Sequence, residues 1–227
     1  MNMRARKQCC HGLESYPQVS VIVRTMLAPR PRPLRTPRDR FIRYVSTWLW
    51  KRNVPLIAIQ MMIMIWCAGL LPETATGTGV EYFSGDEAVS NGMRMHGFNM
   101  FSFDIRRNPN HDMLSDAGFI SALILVMCVM PGGFAWLAPV CSSWIWLCRG
   151  RTGRNPARPE GRNTEFVRRG NAICARSILI AACLVARDCM VVIEQPMQSV
   201  MPYFRRFAWW VGTYRIFKTR SDLGIPT

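Results

Sequence analysis

The sequence predicts an α/β fold built on a parallel sheet, and three observations carry that prediction. From Gly79 onward, short apolar runs alternate with helical patterns, as βα units do. Gly, Pro or Asp residues punctuate the passages between them, as at Ser84-Gly85-Asp86 and Pro131-Gly132-Gly133. Gly85, Asp104, Cys141 and Glu194 all follow an apolar run, and open α/β sheets bind their ligands outside the carboxyl ends of the strands.

Taken in order, residues 1–53 are rich in Arg and Pro and lack a sustained period, so they read as a basic, disordered extension. Val54 to Leu71 carries no charge and only Gln60 as a clearly polar side chain, which makes 54–72 an apolar helix close to the length that spans a bilayer. Three readings stay open for it: a membrane anchor with a cytosolic N-terminus, a buried or partner-facing helix, or an upstream segment that does not belong to the folded protein. Residues 73–79 read as a linker and 80–227 as the α/β domain. Within that domain, Val80 to Phe83 is the first expected strand and Glu87 to His96 the first helix. Phe98 to Ile105 follows as a strand, then a helix from Ala117 to Val129, N-capped by Asp116 and closed by Pro131-Gly132-Gly133. Phe134 to Leu137 is the third strand, Thr164 to Arg187 a long helix and Met190 to Ile193 the fourth strand.

Composition narrows the function classes. At 227 residues and 49% hydrophobic, the chain can bury one ordinary core with an extension left over. The net charge of +15 is uneven, concentrated in 1–52, 149–169 and 205–220, and suits a phosphate backbone or an anionic membrane face. The nine cysteines show neither CxxC pairs nor zinc-ligand spacing, and Cys67, Cys128 and Cys183 sit in apolar runs. That pattern points to a reducing compartment, intracellular or at a membrane anchor, without a disulfide framework. His96 and His111 lack partners at ligand spacing, so no metal site is expected.

Four residues carry the chemistry. A Gly turn after the first strand brings backbone N–H groups near a ligand, and an acidic residue about 20 positions on can accept from ribose hydroxyls; Gly85 and Asp104 stand in that relation. Cys141, after a Pro turn, offers a thiol that can attack an electron-poor carbon, with a packing cysteine as the alternative. Glu194, closing an apolar run, is expected to be partly desolvated and thereby a proton donor, with a strand-end cap or an arginine partner as the alternative. Arg149, Arg151 and Arg154, in a Gly- and Pro-interleaved loop, are candidates to follow a phosphate backbone or to form a lid; a merely solvated loop is the other reading. Trp144, Trp146, Trp209 and Trp210 could stack on bases, although the last two lie amid apolar neighbours that favour packing.

In order and spacing, the stretch from Val80 to Pro196 resembles the catalytic half of S-adenosylmethionine-dependent methyltransferases, most closely the DNA cytosine-5 branch. Phe83-Ser84-Gly85-Asp86-Glu87-Ala88 stands where that family has its Phe-x-Gly-x-Gly-Gly cofactor turn, and Asp104 stands at its acidic second-strand end. Asp112 is the nearby candidate for its adenine-side aspartate. Pro139-Val140-Cys141-Ser142 matches its Pro-Pro-Cys-Gln turn, and Glu194-Gln195-Pro196 its Glu-Asn-Val. A group of proteins from unicellular algae is similar to the chain in Phe-Ser-Gly, Cys-Ser-Ser-Trp, Arg-Gly-x-x-Gly-Arg and Glu-Gln-Pro. The resemblance implies a Rossmann-like methyltransferase sheet, S-adenosylmethionine held by Phe83, Gly85, Asp104 and Asp112, and DNA or RNA as the partner. It further implies that Cys141 adds to carbon 6 of an extruded cytosine while Glu194 protonates the ring at N3. The family continues with target-recognition and closing strands where this chain stops at Thr227, so a truncated sheet is expected. Two other functions remain open: an inactive methyltransferase-like protein held at a membrane by 54–71, and a basic nucleic-acid-binding module without chemistry.

Overall fold

A computed structural model describes residues 43, 46–70, 72 and 74–214. The described chain is α/β: α1 (Leu56–Cys67), β1 (Gly77–Tyr82), α2 (Ala88–Met95), β2 (Met100–Phe103), α3 (Asp116–Cys128), β3 (Val129–Leu137), α4 (Arg149–Thr152), α5 (Glu165–Ala186), β4 (Met190–Ile193) and α6 (Arg205–Thr213). The four strands form one parallel sheet in the order β2-β1-β3-β4. The chain divides into two compact units, one made of the residues up to Pro139 with Leu179–Glu194, the other of Val140–Ile178 with the residues from Gln195 on.

The first unit contains the sheet. Val80 and Tyr82 of β1, Phe103 of β2, Ala135 and Leu137 of β3, and most of α3 are buried in its core. β1 is central, which explains its glycines: a Cβ on Gly79 would sit 2.7 Å from the Phe134 carbonyl oxygen of the neighbouring strand. Residues 77–79, expected as the end of a linker, therefore belong to the sheet. Pro131-Gly132-Gly133 likewise lies inside β3 instead of closing the helix before it. Val129 pairs with Gly77 and Phe134 with Gly79, so the intervening residues form a bulge that accommodates the proline. The N-cap of α3 is Ser115, whose hydroxyl accepts from the Gly118 N–H at 2.9 Å, leaving Asp116 to complement the helix dipole in the first turn.

The apolar segment 54–71 folds as a 12-residue helix, shorter than a bilayer span requires. Val54, Ala58, Ile59 and Ile65 enter the core of the first unit, while Leu56 and Ile57 stay exposed. Among the described residues one helix, α5, is long and apolar enough to cross a membrane, and 61% of its most apolar window is buried within the protein, as for a core helix.

The second unit is built around Trp144, Arg154, Val167, Cys174 and Ile178, joined by Val200, Met201, Phe204, Phe207 and Trp210. Trp144 packs edge-on against Phe204 with centroids 5.3 Å apart, and Phe207 against Trp210 at 5.8 Å. Trp144 and Trp210 are thus packing residues.

Candidate functional site

The strand order changes direction between β1 and β3, and crevices at such switch points hold ligands in open α/β sheets. Within the first unit, β1 ends at Tyr82 and enters a tight turn in which Phe83, Gly85 and Glu87 all adopt left-handed backbone, with φ of 60°, 46° and 59°. For Phe83 and Glu87 that conformation costs about 1–2 kcal/mol each, a cost that persists only where surrounding contacts enforce it. Those contacts come from the end of β2. The N–H groups of Phe83 and Ser84 donate to the Phe103 carbonyl. Asp104 Oδ2 accepts from the Gly85 N–H at 2.9 Å, and its Oδ1 from the Arg106 N–H at 2.8 Å. Arg107 completes the clasp by donating from Nε to the Gly85 carbonyl at 2.9 Å. The two residues paired by sequence spacing are thus in direct contact.

Glu87 holds its left-handed backbone with its side chain engaged by two arginines. It meets Arg94 Nη1 at 3.1 Å and Arg107 Nη1 at 3.4 Å. Burial pushes its carboxyl up, but the hydrogen bonds with Ser102 and Arg94 and the charges of Arg94 and Arg107 outweigh that and hold it below the ordinary carboxylate range. The residue is therefore an ionised anchor for α2 and the β2 end.

Glu81 carries a role the sequence did not reveal, although a carboxylate inside an apolar strand was a signal. It is 5% exposed on the central strand, and its Oε2 accepts from the Ser90 N–H at 2.7 Å. Glu87, the N-cap residue of α2, makes no side-chain cap bond, so Glu81 satisfies the first turn of that helix from the strand beneath it.

Asp112 is spent locally. Its Oδ1 accepts from the Leu114 N–H at 2.9 Å, and its carbonyl accepts from Ser115, so it shapes the entrance to α3. Glu194 directly follows β4, and its N–H donates to the Leu137 carbonyl at 2.9 Å. Its side chain is exposed, against the expected desolvation: β4 pairs only with β3 among the described strands, and its own residues are half-buried or exposed.

Cys141 belongs to the second unit, two residues past the point where the chain leaves the first. It is partly exposed, and its carbonyl accepts from the Trp144 N–H at 2.7 Å, closing a turn pinned by the fully buried Trp144. The Val200 N–H donates to the Trp144 carbonyl at 3.0 Å. Arg154, expected on a phosphate, lies beneath this turn at 1% exposure. Its guanidinium stacks 3.5 Å from the Trp144 ring centroid and donates to the carbonyls of Pro159 and Val167 and to Ser143 Oγ. Burial lowers it to about 10, and its donors are committed to folding the loop, so it is not placed to reach a phosphate. Arg149 is half-buried with its guanidinium over the Trp146 ring, and Arg151 is exposed with its guanidinium over the Phe166 ring.

Family models, curated proteins and solved structures give no match to this chain. What its own residues define is an open parallel α/β sheet with a strained glycine turn clasped by an acidic strand end at the switch point.

Proposed function

We propose that the chain is a methyltransferase-type α/β protein that binds S-adenosylmethionine over the turn after β1 and acts on cytosine in nucleic acid. The observation that carries the reading is the 2.9 Å bond from the Gly85 N–H to Asp104, which joins a glycine turn to a carboxylate suited to ribose hydroxyls. Ser84 Oγ adds to the fit, since it is buried without a hydrogen-bond partner among the described residues and so offers a polar group to a ligand. In this reading Phe83 and Gly85 shape the turn, Asp104 holds the ribose, and Asp112 acts through the entrance to α3. The bound cofactor supplies the methyl group.

The chain's own residues supply the activation. The Cys141 thiolate forms a bond to carbon 6 of an unpaired cytosine while N3 takes a proton from water, which makes carbon 5 nucleophilic. After carbon 5 is methylated, loss of its proton to a base expels the thiolate, and release of the N3 proton to water restores the neutral ring. Calorimetric titration of the full chain with S-adenosylmethionine tests the reading, with Asp104→Asn as the companion variant. Saturable heat that Asp104→Asn weakens about tenfold or more is expected, the scale of a charge-assisted hydrogen bond. No heat at millimolar ligand refutes it.

A further inference from the structure

We propose that the second unit binds single-stranded nucleic acid, with Trp146 as the stacking platform for an unpaired base and Arg149 as the adjoining phosphate contact. The proposal rests on the nucleic-acid part of the function above, and adds the form of the strand and the residues that grip it.

Charge selects the partner. Across 140–178 and 195–214 the acidic residues are Glu160 and Glu165, whereas seven arginines fall in 149–169 alone. With Arg154 withdrawn into the interior, Arg151, Arg158, Arg162 and Arg168 remain exposed. A surface so one-sided binds polyanions by releasing their counterions.

Geometry selects the single strand. Trp146 is 54% exposed, unlike the buried Trp144 and Trp210 of the same unit, so packing does not account for it. The Arg149 guanidinium lies over that ring, its Cζ 3.4 Å from the ring centroid. A guanidinium held over an aromatic ring keeps its terminal N–H groups as donors that can meet a phosphate in two places, while the Arg149 Nε is itself buried. Arg151 is held in the same manner 4.6 Å from the Phe166 centroid. An indole presented beside fixed cations offers stacking to any base with a free face, which a duplex does not supply. Such a base also needs no extrusion before chemistry.

The test is fluorescence anisotropy of labelled oligothymidine of 20 nucleotides and of its duplex with oligoadenosine, titrated with the full chain without S-adenosylmethionine between 50 and 300 mM salt. The single strand is expected to bind more tightly than the duplex. Trp146→Ala should weaken strand binding about 5- to 150-fold, the range of one base–aromatic stack, without changing the salt slope. Trp146→Phe should recover most of that loss, and Arg149→Gln should reduce the slope by about 0.7. Equal binding of strand and duplex overturns the proposal, as does unchanged strand binding by Trp146→Ala. Phosphatidylserine vesicles form the other arm: if Trp146→Ala loses vesicle binding and keeps strand binding, the patch faces a membrane and the proposal fails. Because no cofactor is present, failure here leaves the S-adenosylmethionine reading standing, and a negative calorimetric result leaves this one standing.

Discussion

Replacing Arg154 by Met removes the charge beneath the Cys141 turn and keeps most of the volume. The guanidinium donates to the Val167 carbonyl at 3.1 Å, to Ser143 Oγ at 3.4 Å and to the Pro159 carbonyl, and it covers the Trp144 ring at 3.5 Å. A buried acceptor left without its donor costs about 1–3 kcal/mol, and a desolvated cation–π contact is worth about 2 kcal/mol. Part of this is offset because the buried charge is itself unfavourable, as its lowered pKa of about 10 shows. The net expectation for Arg154→Met is a loss of about 2–4 kcal/mol, with a smaller loss for Arg154→Lys, which keeps a charge but not the planar fork. Urea denaturation followed by near-ultraviolet circular dichroism, where the tryptophans report, measures it. The exposed Arg158→Met serves as control and should stay within about 0.5 kcal/mol of wild type. If Arg154→Met also stays within that range, the brace described for the thiol turn is wrong.

Further outcomes follow from the buried groups. Tyr82, fully buried, donates to the Ala122 carbonyl at 2.8 Å, and burial holds its hydroxyl well above its ordinary value of 10.0; Tyr82→Phe should cost about 1–2 kcal/mol in the same urea experiment. Burial pushes the Cys174 and Cys183 thiols up to about 12, whereas Cys141 is partly exposed. Iodoacetamide at pH 8 should therefore label native Cys141 while sparing Cys174 and Cys183 until urea is added, and peptide mass spectrometry resolves the three. The folded carboxyl of Glu87 lies below its unfolded value, so its contribution is complete above about pH 4.3 and is lost as pH falls through the folded value. Thermal melts from pH 6 to 3 should show a shallower acid decline for Glu87→Gln than for wild type.

The fourth strand was legible because strands of a parallel sheet read as near-continuous apolar runs, and Met190-Val191-Val192-Ile193 is that strand residue for residue. The contact of Gly85 with Asp104 was legible because a 19-residue separation is what one βαβ unit imposes on its two strand ends. Long-range packing hid the rest. Glycines in β1 read as linker because their reason, the Phe134 carbonyl alongside, lies on a strand more than 50 positions away. A proline and two glycines in β3 read as a stop, since a bulge is defined only by the register of its neighbour. Arg154 read as surface because arginines are mostly exposed; the indole and carbonyls that enclose it come from three separate stretches of chain. The chain passes between the two units after Pro139, after Ile178 and after Glu194, and the second of these passages falls inside α5, where no composition shift could mark it.

The outer position of β4 affects how the protein must be handled. Among the described strands it pairs with β3 alone, so one row of its backbone groups points away from the sheet. The strand carries none of the lysines, prolines or inward charges that blunt such edges, and Met190 is 63% exposed. Among the described residues no further strand pairs with this edge, and an apolar edge of that kind is a template for another strand. Concentrated samples should therefore associate edge to edge, and Met190→Lys, which leaves the buried face untouched, is the substitution that should keep them apart.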